Sequence, residues 1–473
     1  MSGLKQSRAL LVLLLALVLS FPGVPEPTGY LSVSFAYADD DDGDDGDDGG
    51  GGTAGRGVNS GGGGGARSMR RSRGAEPRFF RYLRRQLSPG RPRHVRPRQA
   101  RRSAPRGIPV QHSRPNEIVV FGIAAAQLDQ LASLGFQVIE RNQAGQDAPL
   151  GELVRLAIPS GMTDEAAVAQ ARAAAPGAAV DLNHLYRPSE AGDCGGRPCV
   201  APSLVGWPVA SQSACRGNGV TIGLIDTAIN PQHPTFAGSR LEVIRLGKDT
   251  AQESGRQHGT AVAALLVGRA RGATPGLVPD ARLIAVDAFE RGARNDQRAD
   301  AYTLARAIDM LTTRRVDVLN MSLAGPQNTV LERFIGTAHG KDIVLVAAAG
   351  NAGPRADPVF PAAYPGVIAV TAIDRQKKVY RRANRGEHVD LAAPGVNVWT
   401  AASVKGARPK TGTSFAAPFV TAAAALAKAS GTTGAANIEQ RLTRAAMDLG
   451  DSGRDDVFGW GLLNVSEICA QEG

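Results

Sequence analysis

The chain is 473 residues long, with 43% apolar, 21% charged and 5% aromatic residues. That length allows about three domains, and the composition excludes a collagen-like or wholly disordered chain. The net charge of +10 is unevenly placed: residues 66–115 hold sixteen Arg, no Lys and one acid, Glu76, while residues 39–48 hold eight Asp, so the rest is close to +3. The basicity therefore belongs to one segment and gives no reason for the folded part to bind nucleic acid.

Lys5 and Arg8 precede a 13-residue apolar run, Ala9–Phe21, and Ala36-Tyr37-Ala38 supplies an A-x-A pattern. Residues 1–38 read as an export signal cleaved after Ala38. The apolar run lies far from that pattern, so an uncleaved membrane anchor is the competing reading. No internal stretch reaches the roughly 18 uncharged apolar residues that a spanning helix needs. Residues 39–65, Asp then Gly, bury too little surface to fold. The Arg- and Pro-rich tract that follows carries Phe79, Phe80 and Tyr82. Arg with aromatics suits an anionic surface or single-stranded nucleic acid. The simpler reading makes all of 39–115 a disordered linker.

Order is expected from Asn116. Glu117–Phe121 alternates like a strand, and Ala124–Leu134 sets Leu128, Leu131 and Leu134 on one helical face. Phe136–Arg141 reads as a strand, Gly145–Gly151 as a turn and Glu152–Ile158 as a strand. Thr163–Ala175 reads as a helix capped by Thr163, with Asp164 and Glu165 at its positive end. Ala179–Asn183 is a short strand. The order β-α-β-β-α-β over 116–186 is that of a ferredoxin-like α+β unit. Residues 187–202, rich in Gly, Pro and Cys, read as an exposed linker open to cutting.

From 203 to 473 strands and helices alternate. Val220–Ile225, Val316–Leu323, Ile343–Ala348 and Val367–Ile373 read as buried strands. Tyr302–Arg314, Leu331–His339, Phe415–Ala429 and Ala436–Met447 read as helices. Such alternation implies a doubly wound, mostly parallel α/β sheet, whose sites lie at the carboxyl ends of strands.

Export makes disulfides available to Cys194, Cys199, Cys215 and Cys469. Of three connectivities, Cys194–Cys199 with Cys215–Cys469 is favoured: one closes a short loop and the other joins the ends of one domain. A mixture of free and bridged thiols is the alternative. No His lies near these Cys, so no zinc site is expected.

Chemistry concentrates in four runs at element boundaries. Asp226 ends an apolar strand in Ile222-Gly223-Leu224-Ile225-Asp226-Thr227. His258 opens an apolar helix in Gln257-His258-Gly259-Thr260. Asn351 follows a strand in Ala348-Ala349-Gly350-Asn351. Ser414 stands between a glycine turn and a helix in Gly412-Thr413-Ser414-Phe415-Ala416-Ala417-Pro418. A serine hydroxyl needs a base within reach to act as a nucleophile, a histidine serves as that base, and an aspartate fixes the histidine tautomer. An asparagine amide donates to an oxyanion, worth roughly 3–4 kcal/mol of barrier. Each run alone is a common turn or cap; together they form a constellation.

The order Asp…His…Ser is that of the subtilisins. With separations of 32, 93 and 63 residues between Asp226, His258, Asn351 and Ser414, the chain resembles the subtilisin-like serine proteases from about Ser203 to Ile468. Asn320-Met321-Ser322-Leu323, Ala392-Ala393-Pro394-Gly395 and Gly459-Trp460-Gly461-Leu462 resemble further motifs of that family. The resemblance implies a serine endopeptidase: Ser414 as nucleophile, His258 as general base, Asp226 as its orienting partner, and Asn351 with the Ser414 N–H as the oxyanion hole. Ser322, Leu323, Ala324 and Gly325 would bind an extended peptide by strand addition. Ala347–Gly350, hence Ala348, Ala349 and Gly350, would line the pocket before the cut bond, and with no acid there an apolar residue is expected. The segment 116–186 would be a prodomain that inhibits the site intramolecularly until it is cut off. The implied enzyme is an exported, self-processing monomer acting on proteins or peptides without cofactor or metal.

Three positions depart from the family pattern: Ala228 and Ala264 stand where Gly is usual, and Ala261 where His is usual. The methyl at 228 is expected to shift the loop after Asp226. Gly268–Gly276 carries Arg269 and Arg271 and no carboxylate, so no calcium is expected there.

Overall fold

The computed structural model describes residues 111–143, 152–188, 201–207, 216–246, 253–292 and 296–469. The signal segment, the acidic run, the Arg tract to residue 110, the turn at 145–151, and Cys194, Cys199 and Cys215 with their proposed pairings lie outside the described residues.

The first described elements are β1 (Ser113–Ile123), α1 (Ala125–Ser133), β2 (Gln137–Gln143), β3 (Glu152–Ala157), α2 (Asp164–Ala174) and β4 (Ala179–Pro188). The strands take the order β2-β3-β1-β4, each neighbouring pair antiparallel, as a ferredoxin-like unit requires. Alternation puts Ile118, Val120, Val154, Leu156 and Val180 on one face, against Leu128 and Leu131 of α1 and Ala167 and Ala171 of α2. Thr163 Oγ1 accepts the Ala166 N–H at 3.3 Å, the cap its position suggested. β1 begins at Ser113 rather than near Glu117, and Arg114 within it pairs with acids described below. β4 is twice its expected length: Arg187 and Pro188 are paired and half-buried rather than part of an exposed linker. The reason is a long-range partner, which local composition does not reveal.

The larger body begins with α3 (Ala201–Leu204), whose Ala201 joins the core. Then come β5 (Thr221–Asp226), β6 (Arg240–Arg245), α4 (Arg256–Val267), β7 (Arg282–Asp287), β8 (Glu290–Arg291), β9 (Gln297–Asp300) and α5 (Ala301–Thr313). β10 (Val318–Met321), β11 (Leu323–Ala324), α6 (Thr329–Gly340), β12 (Val344–Ala348), β13 (Val367–Ile373) and β14 (Leu391–Pro394) follow. The described part closes with β15 (Val398–Ala401), β16 (Ala407–Lys410), α7 (Thr413–Ala429), α8 (Ala435–Ala445) and α9 (Ser466–Cys469).

Seven parallel strands take the order β14-β13-β12-β10-β5-β7-β6. Strands such as Val344–Ala348 are buried throughout because helices cover both faces. Ile222, Leu224, Val318 and Val346 meet α4, α7 and α8, while Ile225, Leu319 and Leu345 meet α5 and α6. The order reverses beside β5: β6 and β7 lie on one side, β10 and β12 on the other. Such a reversal opens a crevice at the carboxyl ends of the strands.

β4 reaches across to this body. Its Leu185 and Tyr186 pair antiparallel with Asp300 and Ala299 of β9, and its Arg187 and Pro188 pair antiparallel with Ala324 and Leu323 of β11. The helix N-termini beneath it need acceptors for their first N–H groups. Asn183 Oδ1 accepts the Tyr302 N–H of α5 at 3.2 Å, and Asp181 Oδ2 accepts the Thr329 N–H of α6 at 2.9 Å. Charge fixes the flank. Arg155, 5% exposed, lies 3.6 Å from Glu117 and 3.4 Å from Glu140; Arg306 pairs with Glu140 at 3.1 Å. Arg114 pairs with Asp300 and with Glu290. Burial alone would raise the Asp300 carboxyl, but Arg114 and the Thr303 N–H outweigh it and hold the group below the usual carboxylate range.

Candidate active site

The ends of three adjacent strands supply the site. Asp226 is the last residue of β5, Ser322 follows β10, and Asn351 follows β12 by three residues. His258 is the third residue of α4 and Ser414 the second of α7. His258 Nδ1 lies 2.7 Å from Asp226 Oδ1, with the side chains 3% and 2% exposed. An ionised carboxylate only accepts, so Nδ1 carries the proton and Nε2 is the basic nitrogen. The Phe415 ring, 5.4 Å from the imidazole, walls it on one side.

Close approach of two backbones holds this pair. Thr227 Oγ1 accepts the Gly259 N–H at 2.9 Å, tying the end of β5 to the first turn of α4. A Cβ on Gly259 would overlap the Thr227 carbonyl and stand 2.8 Å from that of Ala228, so the residue after His258 has to be glycine. Ala228 is accommodated without backbone strain. Its φ is not among the positive ones, its side chain is buried, and its N–H donates to Ser254 Oγ at 2.7 Å. Ser254 in turn donates to Asp287 Oδ1 at 2.9 Å. Asp287 stands beside Asp226 in strand register, and burial pushes its carboxyl up to about 6. Ala261 and Ala264 are packed in the core, so those two departures fall on packing.

Ser414 is held through its main chain. Pro418, four residues on, has no N–H to give the Ser414 carbonyl. Ser322 Oγ donates to that carbonyl instead, at 2.9 Å. Ser322 Oγ accepts from Asn320 Nδ2 at 2.9 Å, and Asn320 Oδ1 accepts from Thr421 Oγ1 at 2.9 Å. Ser414 Oγ lies 3.4 Å from the Ser322 carbonyl oxygen. Ser322 is thus a buried brace on Ser414, a role its place in the expected peptide-binding strand did not suggest. Thr413 orients Asn351: its N–H and hydroxyl donate to Asn351 Oδ1 at 3.1 and 3.2 Å, which makes Nδ2 the donor end. Thr413 Oγ1 also accepts the Gly350 N–H at 3.2 Å.

Of the expected peptide-binding residues, Leu323 and Ala324 pair with β4, and Gly325 pairs with Phe360. Ala348 and Ala349 are fully buried, and Gly350 is buried as well. Among the described residues, no His, Cys, Asp and Glu cluster suited to a metal ion is found, and no helix is long and apolar enough to cross a membrane. Sequence reading missed Ser254 and Thr421 and the roles of Asn320 and Thr413, all of which act on other residues rather than on a ligand. It also missed β9, four polar-edged residues with no alternation to flag them.

A model of the subtilase family matches residues 217–461. The chain belongs to the subtilase family. That family comprises serine endopeptidases, and this subtilase is 34% identical to Subtilisin DY of Bacillus licheniformis over 268 residues, 54% of this chain and 92% of that one. It is 28% identical over 257 residues to Minor extracellular protease Epr of Bacillus subtilis (strain 168); the match covers 54% of this chain and only 39% of Epr. Among solved structures, fervidolysin from Fervidobacterium pennivorans, a keratinolytic enzyme related to subtilisin, matches with a TM-score of 0.64. The identity there is 20%, over 76% of this chain and 62% of that one, so the likeness concerns the fold.

Proposed function

We propose that this subtilase is made as an exported precursor that cuts off its own N-terminal domain and then hydrolyses proteins through an acyl-enzyme on Ser414. The observation that carries the reading is the pairing of β4 with β9 and with β11, the strand that directly follows Ser322, together with the buried Asp226–His258 pair. In this reading β4 takes the place of an extended substrate strand.

In this reading Ser414 Oγ attacks the carbonyl carbon and its proton passes to His258 Nε2. Asp226, bonded to Nδ1, stabilises the imidazolium. The Ser414 N–H, in the first turn of α7, and Asn351 Nδ2 receive the oxyanion. Collapse expels the amine, which takes the proton from His258. Water, deprotonated by His258, then hydrolyses the ester. Ala348, Ala349 and Gly350 form an apolar wall for the residue before the cut bond. Residues 113–188 act as the inhibitory prodomain, with Asp181 and Asn183 covering the N-termini of α6 and α5. Residues 1–38 direct export, and the Arg tract holds the precursor at an anionic surface. The test is intact mass of the full chain, wild type beside Ser414→Ala, expressed to an oxidising compartment. A wild-type chain cut after β4, with the Ala variant whole at that point, is the expected result. Both chains whole, or both cut alike, refutes self-processing.

A further inference from the structure

The contacts of β4 identify a residue that the triad does not use. Arg187 sits opposite Ala324 of β11, and its guanidinium forks onto Asp296: Nε to Oδ1 at 2.9 Å and Nη2 to Oδ2 at 3.1 Å. The Arg187 side chain is 13% exposed and that of Asp296 33%. Asp296 belongs to the larger body, just before β9, where its carbonyl accepts the Gly292 N–H at 2.6 Å. Arg187 Nη2 also donates to the Gln111 carbonyl at 3.3 Å, a contact within the small domain. The nearby Arg298 is engaged by Glu290 at 3.3 Å.

The preceding residue is also gripped. Tyr186 is fully buried and donates its hydroxyl to the Pro326 carbonyl at 2.9 Å. Its ring occupies the space a side chain at 325 would fill: a Cβ on Gly325 would stand 2.7 Å from Tyr186 Cγ. Backbone pairing on both edges of β4 fixes which side chain meets which partner. A substrate strand in the same register therefore presents one residue to the Gly325 cradle and the next to Asp296.

We propose that Asp296 is a specificity-determining residue of the mature protease, selecting an arginine opposite Ala324, next to an aromatic residue in the Gly325 cradle. The substrate class is an extended Tyr-Arg-Pro-like segment. The inference rests on the reading that β4 occupies the substrate groove. A planar fork on a carboxylate discriminates arginine from lysine as well as from neutral residues.

The experiment uses mature protease from the expressed full chain, with active Ser414 counted by a fluorophosphonate. The substrates are internally quenched peptides copying residues 182–192, Leu-Asn-His-Leu-Tyr-Arg-Pro-Ser-Glu-Ala-Gly, with Arg, Lys, Ala or Glu at the sixth position. The expected kcat/KM favours Arg over Ala by about tenfold, with Lys between. In Asp296→Asn that ratio falls within twofold of one, and in Asp296→Arg the Glu peptide overtakes the Arg peptide. Equal kcat/KM for the Arg and Ala peptides, or no cleavage of the Arg peptide by a labelled, casein-degrading protease, overturns the inference alone. That arm needs no variant to fold. Absence of both fluorophosphonate labelling and casein hydrolysis overturns the protease reading and the inference together.

Discussion

Replacing Ser322 with alanine tests how Ser414 is held. The substitution removes the donor to the Ser414 carbonyl and the acceptor for Asn320 Nδ2, two bonds of 2.9 Å in a fully buried region. Asn320 does not escape by flipping its amide, because Thr421 Oγ1 donates to its Oδ1. Each buried polar group left without its partner costs about 1–3 kcal/mol, so Ser322→Ala should destabilise by about 2–6 kcal/mol. Pro418→Ala supplies an N–H at the i+4 position from residue 414 and removes a proline from a helix interior. In the double variant that N–H satisfies the carbonyl, and about 1–2 kcal/mol of the Ser322 penalty should return. The assay is urea unfolding of the four-member cycle in a Ser414→Ala background, which keeps the carbonyl and prevents self-cleavage. A Ser322→Ala penalty under 0.5 kcal/mol, or strict additivity of the two substitutions, refutes the reasoning.

Further expectations concern the rest of the site. Gly259→Ala drives a methyl against the Thr227 and Ala228 carbonyls, so α4 has to withdraw and His258 with it; kcat should fall at least about 100-fold, since small displacements of catalytic groups cost that much. Unchanged kcat would contradict the close approach. Asn351→Ala removes the donor that Thr413 orients and should lower kcat by about 100- to 1000-fold with little change in KM; a change in KM alone would deny it an oxyanion role. Asp287 has its carboxyl raised to about 6 by burial, above its ordinary value near 4. Protonation therefore favours the folded state, and that contribution is complete below pH 4 and lost as pH rises through 6. Asp287→Asn keeps an Oδ1 for Ser254 and Phe289, so it should match the parent at pH 4 and be up to about 3 kcal/mol more stable at pH 7. Melting profiles against pH in the Ser414→Ala background read this out, and parallel profiles would contradict it.

Most of the sheet was legible because its strands are buried on both faces and read as apolar runs; Val367–Ile373 matches residue for residue. The site runs were legible because glycine and proline mark their boundaries. β7, although an apolar run, and β14 were not read as strands; the rest of what escaped depends on partners far along the chain. β4 extends five residues beyond its apolar part because β9 and β11 pair with it. β6, Arg240–Arg245, is an edge strand whose half-exposed residues give little signal. Ser322 reads as part of a binding strand, yet its hydroxyl serves the Ser414 carbonyl that Pro418 deprives. Ala228 reads as a disturbance, yet its N–H finds Ser254 without positive φ.

Labelling of the expressed full chain with a fluorophosphonate, located by peptide mass spectrometry, reaches the centre of the proposed mechanism. The adduct should fall on Ser414 alone and disappear in His258→Ala, since the serine depends on the base that Asp226 holds. An adduct elsewhere, or equal labelling in the His258→Ala variant, would contradict a nucleophile activated by this Asp226–His258 pair.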